Sequence, residues 1–211
     1  KLGFLYYDNG DEIVADYGAA RVLNVEPKNG GRYLPENETW AKQTVAHNAL
    51  VVDETSHFGG DWREGQKHAP SVIAFDEIDG VQVAFAEIDT AYDGVNMQRL
   101  IAIMPGTNGR DYIIDIMRGI GSEGHTFDLP VHFKGQLIET SFDMTHETTK
   151  LEPLGDANGY QHLWKRSQSE PLDDLEEASW LLGDQFYTLS FAADQSLTTY
   201  FTELGANAPH Q

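Results

Sequence analysis

Residues 71–89 read SVIAFDEIDGVQVAFAEID, two apolar, β-branched runs, Ser71–Glu77 and Val81–Asp89, joined through Asp79-Gly80. An Asp-Gly pair between two such runs suits a tight hairpin, because a short turn of the favoured hand needs residues that tolerate positive φ. The same arrangement occurs upstream, where Leu2–Tyr7 and Glu12–Tyr17 flank Asp8-Asn9-Gly10-Asp11. Further strand-length runs follow at Ala49–Asp53, Arg99–Met104, Tyr112–Met117, Phe127–Phe133, Gln136–Thr140, Trp180–Leu182, Phe186–Ala192 and Leu197–Leu204. About a dozen short strands punctuated by Gly, Asn and Asp predict an all-β chain, an antiparallel β-sandwich. Helical signals are few: a turn or two over Asn37–Val45, and another over Pro171–Ala178 with Asp173, Asp174, Glu176 and Glu177 facing water. Leu151–Tyr160 reads as a polar, Gly-containing loop inserted in the sheet framework.

The 211 residues suffice for one large domain with a sizeable core. The chain opens on Lys1-Leu2-Gly3-Phe4 without an initiator Met and enters an apolar run at once, so we expect residues 1–211 to be one domain cut from a longer protein and incomplete at both ends. No apolar stretch approaches the roughly 20 residues a membrane-spanning helix needs, so no membrane partner is expected. Fourteen Lys and Arg against 34 Asp and Glu leave a formal charge of −20. That field repels phosphate backbones and excludes nucleic acid as a natural partner. It also opposes any polyanionic sugar, but the charge is uneven. Residues 1–50 hold five basic and seven acidic side chains, leaving nine and 27 for the remainder. Zero cysteines exclude disulfides, thiolate metal sites and cysteine nucleophiles.

The near-neutral segment is also the odd one. Residues 14–58 read VADYGAARVLNVEPKNGGRYLPENETWAKQTVAHNALVVDETSHF. A strand ends near Asp16, some 30 residues of irregular chain follow, and a strand resumes after His47-Asn48. Long irregular connections in compact sheet proteins are usually functional or disordered, and the aromatics Tyr33 and Trp40 argue for order. Arg21, Lys28, Arg32 and Lys42 with Tyr, Asn and His suit an acidic sugar: guanidinium forks a carboxylate, and aromatic faces pack on pyranose rings. Taken alone, the stretch also reads as an ordinary surface loop, Asp16 as a turn carboxylate and His47 as a strand-edge histidine.

Three pieces carry a resemblance: Asp16-Tyr17-Gly18-Ala19-Ala20-Arg21, Gly30-Gly31-Arg32-Tyr33-Leu34-Pro35-Glu36-Asn37, and Trp40-Ala41-Lys42-Gln43-Thr44-Val45-Ala46-His47-Asn48. Tyr33 stands 17 residues after Asp16, and His47 stands 31 after it. In order and spacing the segment resembles the start of the C-terminal sandwich of heparinase II/III-type lyases, most closely the polysaccharide lyase family 17 oligoalginate lyases. The resemblance covers about the first 60 residues and implies an N-terminal (α/α) toroid, absent here, packed on the sandwich. It implies cleavage of alginate or oligoalginate by β-elimination, exolytically, in a periplasmic or secreted bacterial protein. It implies a structural zinc near the cleft, held by Asp16, His47 and a further His upstream of Lys1. It also implies that Tyr33 reaches into the cleft as an acid/base group and that Arg21 contacts substrate, and Lys42 joins it as a candidate. The main acid/base groups would come from the toroid, so the isolated chain is expected to be inactive.

Two other readings stay open: a glycosaminoglycan lyase of the same superfamily, and a non-catalytic carbohydrate-binding sandwich. The latter usually presents several aromatics on one sheet face, whereas Trp40, Trp62, Trp164 and Trp180 are scattered. Asp53, His57, Asp61, Glu64 and His68 could also ligate a metal, although so hydrophilic a loop is usually just solvated. His125 and His132 read as core or surface histidines, and Asn37-Glu38-Thr39 matches a glycosylation sequon.

Overall fold

The structure is a computed structural model and describes residues 1–16, 34–107, 109–122 and 124–207. Its first element is the hairpin of β1 (Tyr6–Asp8) and β2 (Asp11–Val14), turned by Asn9 and Gly10 at φ 50° and 92°. The hairpin of residues 71–89 opens a four-stranded antiparallel sheet, β4 (Ser71–Ile78), β5 (Val81–Tyr92), β6 (Val95–Pro105) and β7 (Asp111–Ile120), in sequence order. Its first turn places Asp79 at φ 52° and Gly80 at φ 82°, the left-handed pair that the Asp-Gly dipeptide supplies. A short β3 (Val51–Val52) pairs with β8 (Phe127–Asp128). Two three-stranded sheets complete the chain. One runs β13 (Gln185–Phe191), β12 (Glu176–Leu182), β9 (Gln136–Thr140); the other runs β10 (Met144–His146), β11 (Leu163–Ser169), β14 (Tyr200–Leu204). Every strand pair is antiparallel, as the all-β reading requires.

The core is organised around residues 44–52. Val51 joins Trp40, Ala41, Val45, Ala46, Tyr160 and Leu163 in one apolar cluster. Its neighbours Leu50 and Val52 point the other way, into a second cluster with Ile88, Ala91, Val95 and Met97 of β5 and β6. The period-two alternation of extended backbone thus sends successive side chains into two cores, and β3 is buried on both faces. Each such Val, Leu or Met side chain stabilises the fold by about 1.5–3 kcal/mol.

Two expectations need correction, and two strands were not anticipated. Pro171–Ala178 is not helical: Glu176–Ala178 begins β12, because Ala178 and Trp180 find buried places between β9 and β13. Strands β10 and β11 carry no apolar alternation to announce them, since the buried inward positions of β11 include Ser167 and Ser169. The run Phe127–Phe133 pairs only over Phe127–Asp128, and Pro130, which lacks an N–H for a ladder, lies just beyond. The short turns over Asn37–Ala41 and Thr44–Ala46 and the loop character of Leu151–Tyr160 agree with expectation.

Candidate functional site

Asp16 follows β2, and His47 follows the turn Thr44–Ala46 in extended conformation (φ −124°, ψ 157°). The fold brings the two together: His47 Nδ1 lies 2.7 Å from Asp16 Oδ1, both side chains being about one-quarter exposed. Their backbones are stapled by the adjacent residue. Asn48, fully buried, donates from Nδ2 to the carbonyls of Phe4 (3.0 Å) and Ala15 (2.6 Å) and accepts at Oδ1 from the N–H of His132 (2.7 Å). One side-chain amide thereby fixes the residue before Asp16 and the residue after His47. A buried amide is tolerated because its donors and one acceptor are satisfied.

A second set of bonds sets the floor of an open cleft of about 400 Å³, lined by Lys42, Thr44, His47, His57 and Trp62 among others. Thr44 Oγ1 accepts from the N–H of His57 (2.8 Å), the N–H of Thr44 donates to Ser56 Oγ (3.1 Å), and Ser56 Oγ donates to Gln43 Oε1 (2.6 Å). His57 Nε2 donates to the Leu50 carbonyl (3.1 Å), and its ring meets Tyr92 edge-on at 5.0 Å. Lys42 pairs with Glu38 and lies 5.3 Å from the centroid of the Trp62 ring.

Of the residues singled out from sequence, Lys42 and His47 therefore line one cleft, with Asp16 bonded to His47. Tyr33 and Arg21 lie outside the described residues. The rival metal set disperses. Asp53 pairs with His125 (2.7 Å) and caps the N–H of Thr126 (2.9 Å), while Asp61 accepts from the N–H groups of Arg63 and Glu64. Glu64 pairs with Lys67 and His68. No cluster of three potential metal ligands occurs among the described residues. His132 is a partly buried histidine, with Nε2 donating to the Val45 carbonyl (2.9 Å) and the ring edge-on to Trp40 at 5.9 Å. Sequence reasoning did not anticipate Trp62 or Thr44 at the cleft; their only signal was nearness in sequence to candidate residues.

Burial holds His57 down to about 3 and also lowers His132. In the unfolded chain both imidazoles would protonate near the ordinary value of about 6.5. These groups leave stability unchanged above that pH. Below it the unfolded state takes up protons that the folded state refuses, so stability falls with acidification, for His57 until about 3. The slope is at most about 1.4 kcal/mol per pH unit for each group. His57→Gln, which keeps a donor for Leu50, should flatten the fall of melting temperature between neutral and mildly acid buffer. An unchanged slope would assign the acid sensitivity to other groups.

The chain is 45% identical, over 99% of its length, to an alginate lyase of Stenotrophomonas maltophilia. It is also 45% identical, over its whole length, to an exo-oligoalginate lyase of Saccharophagus degradans. It spans 28% and 29% of those relatives. The heparinase II/III-like C-terminal family model matches residues 1–201. The chain belongs to the heparinase II/III-like C-terminal domain family.

Proposed function

We propose that this chain is the β-sheet part of a lyase that cleaves alginate or oligoalginate by β-elimination, acting from chain ends and releasing an unsaturated uronate. The observation that carries the reading is the cleft lined by Lys42 and by His47, which bonds Asp16, in a chain 45% identical to relatives bearing alginate lyase names. β-Elimination needs the uronate carboxylate neutralised so that the C5 proton becomes acidic. A base then removes that proton and an acid protonates the departing O4. From this chain, Lys42 and Arg21 would hold carboxylates by charge-assisted hydrogen bonds, and Tyr33 would hold or relay a proton at the reacting oxygen. A helical toroid elsewhere in the full protein would supply the remaining acid/base groups, and residues 1–211 alone would be inactive. A periplasmic or secreted location goes with this reading.

The donor set at Asp16 and His47 fits part of a zinc site. A carboxylate oxygen and an imidazole nitrogen already lie at mutual hydrogen-bond distance, and both donor types suit zinc. A third ligand would come from upstream of Lys1. The ion, when bound, would serve structurally, fixing the two ends of the segment that carries Arg21 and Tyr33. Asp16→Ala and His47→Ala in the full-length protein should each abolish stoichiometric zinc by elemental analysis; zinc content equal to wild type in both would remove these residues from the site.

The function itself is tested by following ultraviolet absorbance of unsaturated uronates with the full-length protein on alginate and, separately, on heparan sulfate. Product from alginate is expected. Product from heparan sulfate alone would reassign the substrate to glycosaminoglycans.

A further inference from the structure

The loop after His57 holds one aromatic side chain outward at the cleft. Trp62 is 44% exposed, whereas Trp40 and Trp180 are 4% and 5% exposed and belong to the core. Its backbone is held firmly. Phe58, Gly59 and Gly60 adopt positive φ (57°, 62° and 81°), a conformation a Phe holds only when its surroundings impose it. Phe58 stacks on His68 with centroids 5.1 Å apart, and Asp61 then caps the short helix α1 (Trp62–Gly65). The indole is thus carried by a braced loop without filling the core itself.

Two cations lie on this indole. Lys42 Nζ is 5.3 Å and Arg63 Cζ 5.2 Å from the ring centroid. In a chain with 14 basic and 34 acidic side chains, such pairing on an exposed ring is a local reversal of sign. The neighbouring carboxylates are largely engaged elsewhere. Asp61 accepts the cap bonds of α1, and Glu64 pairs with Lys67 and His68. Glu38 takes one of the three ammonium donors of Lys42. The Arg63 guanidinium has no hydrogen bond or ion pair among the described residues. An exposed aromatic beside a cleft, with a guanidinium unpaired among the described residues and a shared ammonium over it, matches a ring that is apolar on its C–H face and carries a carboxylate.

We propose that Trp62 and Arg63, with Lys42, form a uronate subsite at the mouth of the cleft, separate from the reacting bond, which binds an outlying sugar residue of an acidic oligosaccharide. The pyranose packs on the indole, and its carboxylate takes the free donors of Arg63 and Lys42. The assignment rests on the uronate-lyase reading and adds to it the residues that recognise chain length. Trp62→Ala and Arg63→Gln in the full-length protein test it, because both side chains are exposed and outside the core.

The measurement is KM on defined alginate oligosaccharides of increasing length, together with binding of the same oligosaccharides by titration calorimetry. Each variant should raise KM roughly tenfold on oligosaccharides long enough to reach the subsite, about the loss of one charge-assisted contact. The effect of Arg63→Gln should shrink at high salt, and neutral oligoglucosides should bind neither variant nor wild type. Unchanged KM at every length, in a wild-type enzyme that does cleave alginate, overturns the subsite and leaves the function standing. If the wild type does not cleave alginate, the function fails and calorimetry decides the subsite. Oligouronate binding weakened by both substitutions retains it, and binding that is absent or insensitive to them overturns it.

Discussion

Arg99→Met is expected to destabilise the domain by about 3 kcal/mol, in the range for breaking a buried ion pair from one side. The side chain is 3% exposed and makes four polar contacts at once. Nε and Nη2 fork the carboxylate of Asp115 at 2.8 and 2.5 Å, and Nη1 donates to the carbonyls of Leu2 (2.7 Å) and Asn48. Its guanidinium also lies 4.6 Å from the centroid of the Phe4 ring. Methionine fills similar volume but satisfies neither carbonyl nor carboxylate. Asp115 is 24% exposed and can recover some hydration, which keeps the expected cost at the lower end of the range. Arg99→Lys keeps the charge but loses the fork, so an intermediate loss is expected. Adding Asp115→Leu to Arg99→Met should restore part of the stability, because the uncompensated carboxylate is gone. Denaturant midpoints of the four proteins give this order; a double variant no better than Arg99→Met would place the cost in the two carbonyls instead.

The consequence reaches the cleft. Arg99 grips the carbonyl of Asn48 while the Asn48 side chain grips Phe4 and Ala15. A residue on the large sheet therefore helps set the backbone segments from which Asp16 and His47 project. Loss of Arg99 should loosen that pair as well as lower stability.

Much of the sheet framework could be read locally. Asn9-Gly10 and Asp79-Gly80 set their hairpins because positive φ is written in the residue types themselves. What escaped was structure decided at a distance. Strand β11 buries serines, and the acidic stretch at Glu176 and Glu177 is extended because β13 pairs with it on one side and Ser141 bonds Glu177 on the other. The site divides the same way. Asp16 and His47 are 31 positions apart, and no periodicity joins them; a resemblance in motif order pointed to them, and the structure finds them 2.7 Å apart. Trp62 reaches the cleft through a left-handed run at Phe58 to Gly60, in which Phe58 carries no sequence signal for that conformation.

Tyr33→Phe in the full-length protein should lower kcat by roughly a hundredfold, the lower end of a general acid–base contribution, if a second group shares the proton transfer. Tyr33 and Arg21 both fall in sequence between Asp16 and His47, the pair found 2.7 Å apart. Their chemistry should separate them. On the proposed reading Arg21 would hold a carboxylate that is charged before and during reaction, so Arg21→Ala should remove binding common to ground and transition states and raise KM more than it lowers kcat. On the same reading the hydroxyl of Tyr33 would matter only as a proton moves, so Tyr33→Phe should lower kcat with little change in KM. A purely packing role for Tyr33, for example against Trp40, gives the opposite outcome, because Phe keeps the ring. Wild-type kcat in a folded Tyr33→Phe protein therefore removes Tyr33 from the proton transfer. Family membership would be untouched, since it rests on the match across residues 1–201 rather than on one hydroxyl.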